Sequence, residues 1–135
     1  MLPIDTQLSI LIHLAQADHN ISIEEIEIIK KTGQDNGLNS TQIEALIASP
    51  KSIGDLYRLP KEEKLECLID LIRLMKIDKK IYQKEIDFCE RIALKLGYQP
   101  KVIMELSAYI YNSKSIHTDR SILEDIVDKY YIVEA

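Results

Sequence analysis

The sequence predicts an all-α domain with an internal duplication. Apolar residues recur at three- and four-residue spacing along most of the chain, which is the pattern of amphipathic helices. No segment combines apolar/polar alternation with β-branched residues, so no strands are predicted. The strongest observation is a repeat, because residues 11–46 match residues 71–106 without a gap at an offset of sixty positions. The matched pairs are Leu11/Leu71, Ile12/Ile72, Leu14/Leu74, Asp18/Asp78, Ile21/Ile81, Glu25/Glu85, Ile26/Ile86, Gly37/Gly97, Ile43/Ile103 and Leu46/Leu106.

The first repeat half, about residues 4–50, is predicted to form three helices. The second of them begins at Ser22, because Ser followed three positions later by Glu25 is the capping-box pattern. Gly37 marks its end, and Asn39 can cap the short third helix. The predicted helices of this half span about residues 3–17, 22–37 and 39–47.

The second repeat half, about residues 61–112, is predicted to form three more helices. Its first helix has only a narrow polar stripe and should therefore lie centrally, with neighbours on most sides. Gly97 ends the next helix, and Pro100 fits the first turn of the one that follows. A seventh, amphipathic helix lies outside the repeat. The predicted helices here span about residues 61–75, 83–96, 100–110 and 118–132.

Composition favours one domain over residues 1–135, because 135 residues with 46% hydrophobic content can form one core but not two ordinary ones. The net charge of -5 is spread along the chain, so no nucleic-acid partner is expected. Cys67 and Cys89 lie in apolar helical runs, which favours reduced, buried thiols. No apolar run has the length of a membrane span and no leader pattern is present, so we expect a cytoplasmic protein.

The polar residues that repeat are the candidate functional residues. Asp18, Glu25, Asp78 and Glu85 form two copies of an acidic pair seven positions apart. If the two halves bring their turns together, the four carboxylates could hold a divalent cation, which is the candidate cofactor.

A structural role competes with the metal site. Glu25 can complete a capping box with Ser22, and Asp18 can accept hydrogen bonds from the backbone of its turn. In the second copy Tyr82 replaces the capping serine, so the same explanation does not account for Glu85. Both interpretations remain open at the level of the sequence.

Other chemistry finds less support in the sequence. Asp18, Ile21 and Glu25 match the second half of a calcium-binding EF-hand loop, but Leu14 and Gln16 stand where its first ligands belong. Because calcium takes six to eight oxygen ligands, an EF-hand is excluded. No Ser or Cys lies in a Gly-flanked elbow, and the three His have no partner at zinc-ligand spacing, so no catalytic residues are predicted.

The repeated segments resemble the two signatures of the TerB-like tellurite-resistance domain family. The first is AQADHNISIEE at residues 15–25, and the second is MKIDKKIYQKE at 75–85, followed by RIALKLG at 91–97. The resemblance covers about residues 8–110. It implies a compact helical domain with pseudo-twofold symmetry, linked to bacterial stress or metal-oxyanion resistance and used as an interaction module near membranes or in larger assemblies. It also implies metal binding by acidic residues at the Asp and Glu positions of both copies.

The resulting expectation is a non-enzymatic, TerB-like module in a bacterial-type cytoplasm. A protein partner is expected, and peripheral membrane assembly and homo-oligomerisation are both compatible with the sequence. The acidic side formed by the two inter-helix turns is the predicted active surface. The alternative is a metal-dependent enzyme or a metal-sensing regulator that uses Asp18, Glu25, Asp78 and Glu85.

Overall fold

Seven α-helices form the part of the chain that the computed structural model describes, which is residues 3–17, 21–77, 81, 83–111 and 119–132. The predicted all-α class is confirmed. Within these residues the only β-type pairing is an isolated antiparallel bridge between Tyr98 and Tyr131. None of the helices found there is both long and apolar enough to cross a bilayer. The helices are α1 Ile4–Ala15, α2 Ile23–Asp35, α3 Ser40–Ala48, α4 Lys61–Met75, α5 Gln83–Leu96, α6 Val102–Ser107 and α7 Arg120–Tyr130.

The predicted helix starts in the first half are confirmed by two capping boxes. Ser22 and Glu25 exchange hydrogen bonds at the start of α2, with both distances 3.1 Å. Asn39 and Gln42 do the same at the start of α3, at 2.8 and 2.9 Å. Each box satisfies backbone N–H groups that the first turn of a helix cannot bond internally.

The sixth helix is shorter than predicted. It ends at Ser107, and the chain continues to Ile110 through turns in which Ala108 N donates to the Glu105 carbonyl at 3.3 Å. Its entry is also a tight turn, since Val102 N donates to the Gln99 carbonyl at 3.0 Å. Bonds to the third preceding residue keep apolar side chains at nearly helical spacing, so the sequence pattern could not place these ends.

The helices α1 and α4 form the centre of the fold. Helix α1 packs against α2, α3, α4 and α5, and α4 packs against α1, α5, α6 and α7. The predicted central position of α4 is therefore confirmed. Burial of apolar side chains on these two helices is the main favourable term in folding. Their fully buried residues include Leu8, Ile12, Leu14, Leu68, Leu71 and Ile72.

Several backbone details recur at the sixty-residue offset. Helices α1 and α4 end at equivalent residues, and each is followed by the same pair of hydrogen bonds. Gly37 and Gly97, which follow α2 and α5, have φ values of 94° and 97°, in the left-handed region that favours glycine. The paired bonds are Gln16 N to Ile12 O (3.0 Å) with Lys76 N to Ile72 O (3.1 Å), and Ala17 N to Leu14 O with Ile77 N to Leu74 O (both 3.1 Å).

The polar side of α1 differs from expectation. Helical spacing predicts that Ser9, His13 and Gln16 face solvent, and for Ser9 this prediction is wrong because only 1% of the residue is exposed. Ser9 Oγ accepts a hydrogen bond from Lys51 N at 3.0 Å, and His13 Nε2 lies 2.9 Å from the Lys51 carbonyl oxygen. Gln16 Nε2 donates to the Ile47 carbonyl at 3.3 Å. These hydrogen bonds join the end of α3 and the segment that follows it to α1.

Candidate functional site

Two of the four predicted metal-binding acids are buried at equivalent helix positions. Glu25 is 2% exposed at the third position of α2, and Glu85 is 4% exposed at the third position of α5. Asp18 and Asp78 lie outside the described residues. A buried carboxylate is unfavourable unless hydrogen bonds or an opposite charge compensate for its lost hydration. Both positions therefore need a specific explanation.

The capping box at the start of α2 explains the burial of Glu25. Its Oε1 accepts a hydrogen bond from Ser22 N, while Ser22 Oγ accepts one from Glu25 N. The carboxylate also lies in the first turn of α2, where the positive end of the helix dipole favours a negative charge. The structural role predicted for Glu25 is therefore present.

Glu85 lies close to a buried thiol. Cys89 is fully buried one turn further along α5, and burial raises the pKa of its thiol, with the negative charge of Glu85 adding to the rise. Glu85 and Cys89, four residues apart, thus lie on the same packed face of α5. Tyr82, which would have to cap α5 in place of a serine, lies outside the described residues.

A metal site cannot be assembled from the described residues alone. Within them, no group of three or more His, Cys, Asp or Glu side chains could hold a metal ion. The predicted site also requires Asp18 and Asp78, so the convergence of the four carboxylates stays a prediction.

Two substitutions of Glu25 separate the stability that its capping hydrogen bond contributes from the effect of its negative charge. Gln42 already completes the α3 box, so Glu25→Gln should keep the α2 box and change the free energy of unfolding by less than about 0.5 kcal/mol. Glu25→Ala removes the acceptor and should lower the free energy of unfolding by about 1 kcal/mol. Urea unfolding measures both. A loss in Glu25→Gln as large as in Glu25→Ala would show that the negative charge itself is required.

A groove lies between α2 and α4, and we call it the α2–α4 groove. It consists of two adjoining cavities of about 620 and 290 Å³, which share Leu11, Thr32 and Asp70 as lining residues. Apolar side chains of α1, α2 and α4 contribute to its walls. These are Ile4, Ile10, Leu11, Ile28, Leu71 and Leu74.

The charged residues of the α2–α4 groove are distributed unevenly along it. Glu63 and Glu66 line the larger cavity, near the start of α4, and Glu66 Oε1 is paired there with Arg120 Nη1 of α7 at 2.5 Å. Lys31 and Arg73 line the smaller cavity, toward the end of α4. Asp70 lines both cavities, so the groove carries charged residues of both signs among its apolar walls.

The thiol of Cys67 lines the larger cavity and should react slowly. Burial raises its pKa to about 12, and the nearby Asp70 carboxylate adds to the rise. We expect slow modification of Cys67 and Cys89 by a disulfide reagent in the native protein and prompt modification of both in guanidinium. Prompt native modification of Cys67 would contradict the desolvated environment.

Comparisons with protein-family models, with characterised proteins and with solved structures gave no match. The resemblance to the TerB-like family therefore rests on the two sequence signatures and remains a prediction.

Proposed function

We propose that this chain is a non-enzymatic, TerB-like interaction module that binds an amphipathic helix of a partner protein in the α2–α4 groove. The observation that carries the proposal is the groove itself, with its apolar walls on α1, α2 and α4 and the basic pair Lys31 and Arg73 at one end. The TerB-like resemblance supports a role in a bacterial stress response, including assemblies at a membrane surface. The proposed contact surface is the groove and not the acidic turns, because the groove combines apolar walls with charged residues.

The dimensions of the groove suit a short helix. Its wall on α4 runs from Glu63 to Leu74, which is about 16 Å at a helical rise of about 1.5 Å per residue. This length accommodates about three turns of a partner helix. Helices bound in this way insert apolar side chains spaced three, four and seven residues apart.

Charge sets the direction of the partner helix. Lys31 and Arg73 outnumber Asp70 in the smaller cavity, so this end of the groove favours an acidic residue of the partner. The other end gives no comparable preference, because Glu66 is paired with Arg120. Such complementarity mainly determines orientation and association rate, while apolar contacts provide most of the affinity. The proposed occupant is therefore an amphipathic helix with an acidic residue at the end that lies beside Lys31 and Arg73.

We also propose that the TerB-like duplication relates the two halves by a pseudo-twofold rotation. The repeated helix-end hydrogen bonds and the positive φ angles of Gly37 and Gly97 support it. So does the packing, because α1 contacts α2 and α3 as α4 contacts α5 and α6. The α2–α4 groove then lies at the boundary between the halves, because α1 and α2 belong to the first half and α4 belongs to the second.

The docking proposal can be tested with a groove variant and a matched control. Ile28 is a half-buried residue of the groove, so Ile28→Glu places a charge on its apolar surface. Ile122 on α7 is 41% exposed and outside the groove, so Ile122→Glu is the control. A partner captured by the wild-type protein should be lost with Ile28→Glu and retained with Ile122→Glu.

The binding site of the captured partner must also be located in the groove. A synthetic peptide of its amphipathic helix should shift the backbone amide resonances of Leu11, Thr32 and Leu74 in an NMR titration. Equal capture by both variants, or shifts confined to another surface, would contradict the proposal. A concentration-dependent dimer that Ile28→Glu abolishes, with no other partner captured, would show that a second copy of the chain occupies the groove.

Divalent-cation binding by Asp18, Glu25, Asp78 and Glu85 is the second candidate function, as a metal-sensing or metal-dependent catalytic site. The observation that favours it is the burial of two carboxylates at equivalent positions, Glu25 and Glu85. Oxygen-rich sites of this kind suit calcium, magnesium or manganese.

Calorimetry and thermal unfolding test whether the protein binds a divalent cation. A native-state ligand must raise the melting temperature as its concentration rises above its dissociation constant. Binding heat that disappears in both Glu25→Gln and Glu85→Gln would support the site. Absence of heat and of any melting shift with calcium, magnesium, manganese and zinc would assign both glutamates to structural roles.

A further inference from the structure

A buried lysine lies among three tyrosine rings where α4 begins. Lys64 is only 5% exposed, although lysine is almost never buried without a partner. Its Nζ lies 4.7 Å from the ring centre of Tyr57, 5.6 Å from that of Tyr131 and 5.9 Å from that of Tyr98. Each ring presents its π-electrons to the cation, which compensates for part of the lost hydration.

The three rings do not satisfy the hydrogen-bonding capacity of the ammonium group. An ammonium has three N–H donors, and in the described part of the chain no oxygen acceptor or carboxylate pairs with Lys64 Nζ. Other lysines of this region are paired, since Lys61 Nζ is 2.7 Å from Asp128 and Lys129 Nζ is 2.6 Å from Glu105. Lys64 Nζ is therefore open to an acceptor from outside the protein, either water or a ligand, on the side that faces a cavity.

Lys64 lines a cavity of about 430 Å³, which we call the tyrosine cavity. Its other charged lining residues, Lys61 and Asp128, form an ion pair that raises the pKa of Lys61. They neutralise each other, so Lys64 leaves the cavity with a net positive charge. Tyr57, Tyr98 and Tyr131 provide aromatic walls.

The hydroxyl groups and the helix start add polar character. The Tyr57 and Tyr131 hydroxyl oxygens are 3.2 Å apart, and when Tyr57 donates to Tyr131 the Tyr131 proton can be given to a ligand. Tyr98 is only 2% exposed, and this burial raises its pKa to about 12, with the negative charge of Asp128 adding to the rise. The cavity also adjoins the start of α4, where Pro60 provides no side-chain cap.

We propose that the tyrosine cavity binds a small-molecule oxyanion, a carboxylate or a phosphate, that pairs with Lys64 Nζ and accepts a hydrogen bond from the Tyr131 hydroxyl. The volume lies within the usual range for small-ligand pockets, roughly 300–1,000 Å³. The aromatic walls suit a ligand with a flat or apolar body attached to the anionic group. This site does not overlap the α2–α4 groove and is independent of the function proposed there.

NMR titration with inorganic phosphate and with acetate, each compared with chloride at equal ionic strength, tests the proposal. Saturable shifts of the Lys64, Tyr57 and Tyr98 amides are expected with at least one oxyanion. Tighter binding of phosphate would identify a phosphate ester as the ligand class, and tighter binding of acetate would identify a carboxylate. Absence of saturation by either anion at about 50 mM, which corresponds to a negligible affinity, would overturn the proposal.

Substitutions of residues that line the tyrosine cavity test whether the anion binds there. Lys64→Met should weaken anion binding at least about tenfold, whereas Lys95→Met, at an exposed position of α5, should leave it unchanged. Tyr131→Phe keeps the ring beside Lys64 and removes only the hydroxyl, so it tests the site even if Lys64→Met does not fold. It should weaken binding severalfold. Wild-type affinity in Lys64→Met, or in Tyr131→Phe where Lys64→Met is unfolded, would overturn the assignment.

Discussion

Replacing Gly97 with alanine is expected to lower the free energy of unfolding by about 2–5 kcal/mol, combining backbone strain with a steric clash. Gly97 has a φ of 97°, which L-residues rarely adopt. A Cβ atom added there would lie 2.7 and 2.8 Å from two ring carbons of Tyr57. Because Tyr57 packs on the Lys64 ammonium, the substitution would also displace one wall of the tyrosine cavity. Urea unfolding at 25 °C measures the loss.

Gly37→Ala is the matched control for this prediction. Gly37 has nearly the same φ, 94°, but a Cβ added there would meet nothing within 4 Å. Its substitution should therefore cost only the backbone term, about 1–2 kcal/mol. The difference between the two variants measures the contact with Tyr57. Equal losses would show that the Tyr57 ring moves aside without cost.

Truncation of the central helices should destabilise the protein about as strongly. Leu14 on α1 and Leu74 on α4 occupy equivalent repeat positions and are 0% and 1% exposed. Leu14→Ala and Leu74→Ala should each lower the free energy of unfolding by about 2–5 kcal/mol, because each leaves a cavity in the core. Chemical denaturation with an unchanged slope against denaturant would confirm that the loss is one of stability.

Leu94 on α5 provides the control for the truncations. It is 52% exposed, so Leu94→Ala should change the free energy of unfolding by less than about 1 kcal/mol. A strongly unequal effect of Leu14→Ala and Leu74→Ala would indicate that the two central helices do not share the core equally. That result would also weaken the proposed duplication.

Local sequence signals were sufficient to predict most helix boundaries. The capping boxes of α2 and α3 involve residues three positions apart, and Gly37 and Gly97 adopt a backbone conformation that favours glycine in any context. Such signals act within one turn of the chain. They therefore appear in the sequence without knowledge of any partner helix. The end of α6 was missed because its turns continue the apolar spacing of the helix.

Only part of the candidate metal site could be predicted from the sequence. The repeat singled out Glu25 and Glu85, and both are buried at the first turn of a helix. Their burial could not be predicted, because an acidic residue near a helix start is usually solvated. Whether Asp18 and Asp78 join them depends on how the two halves meet, which the repeat itself does not specify.

The sequence by itself determined the helical class, the positions of the caps and the recurrence of an acidic pair. Only the tertiary structure decided that Ser9 and Lys64 are buried and that α2 and α4 flank a groove. The spacing of Lys64 four residues before Leu68, on the apolar side of α4, was the one signal of its burial. Helical spacing shows which face of a helix is apolar. The environment of a polar side chain on that face is set by residues far away in the chain, which become its neighbours only when the helices pack.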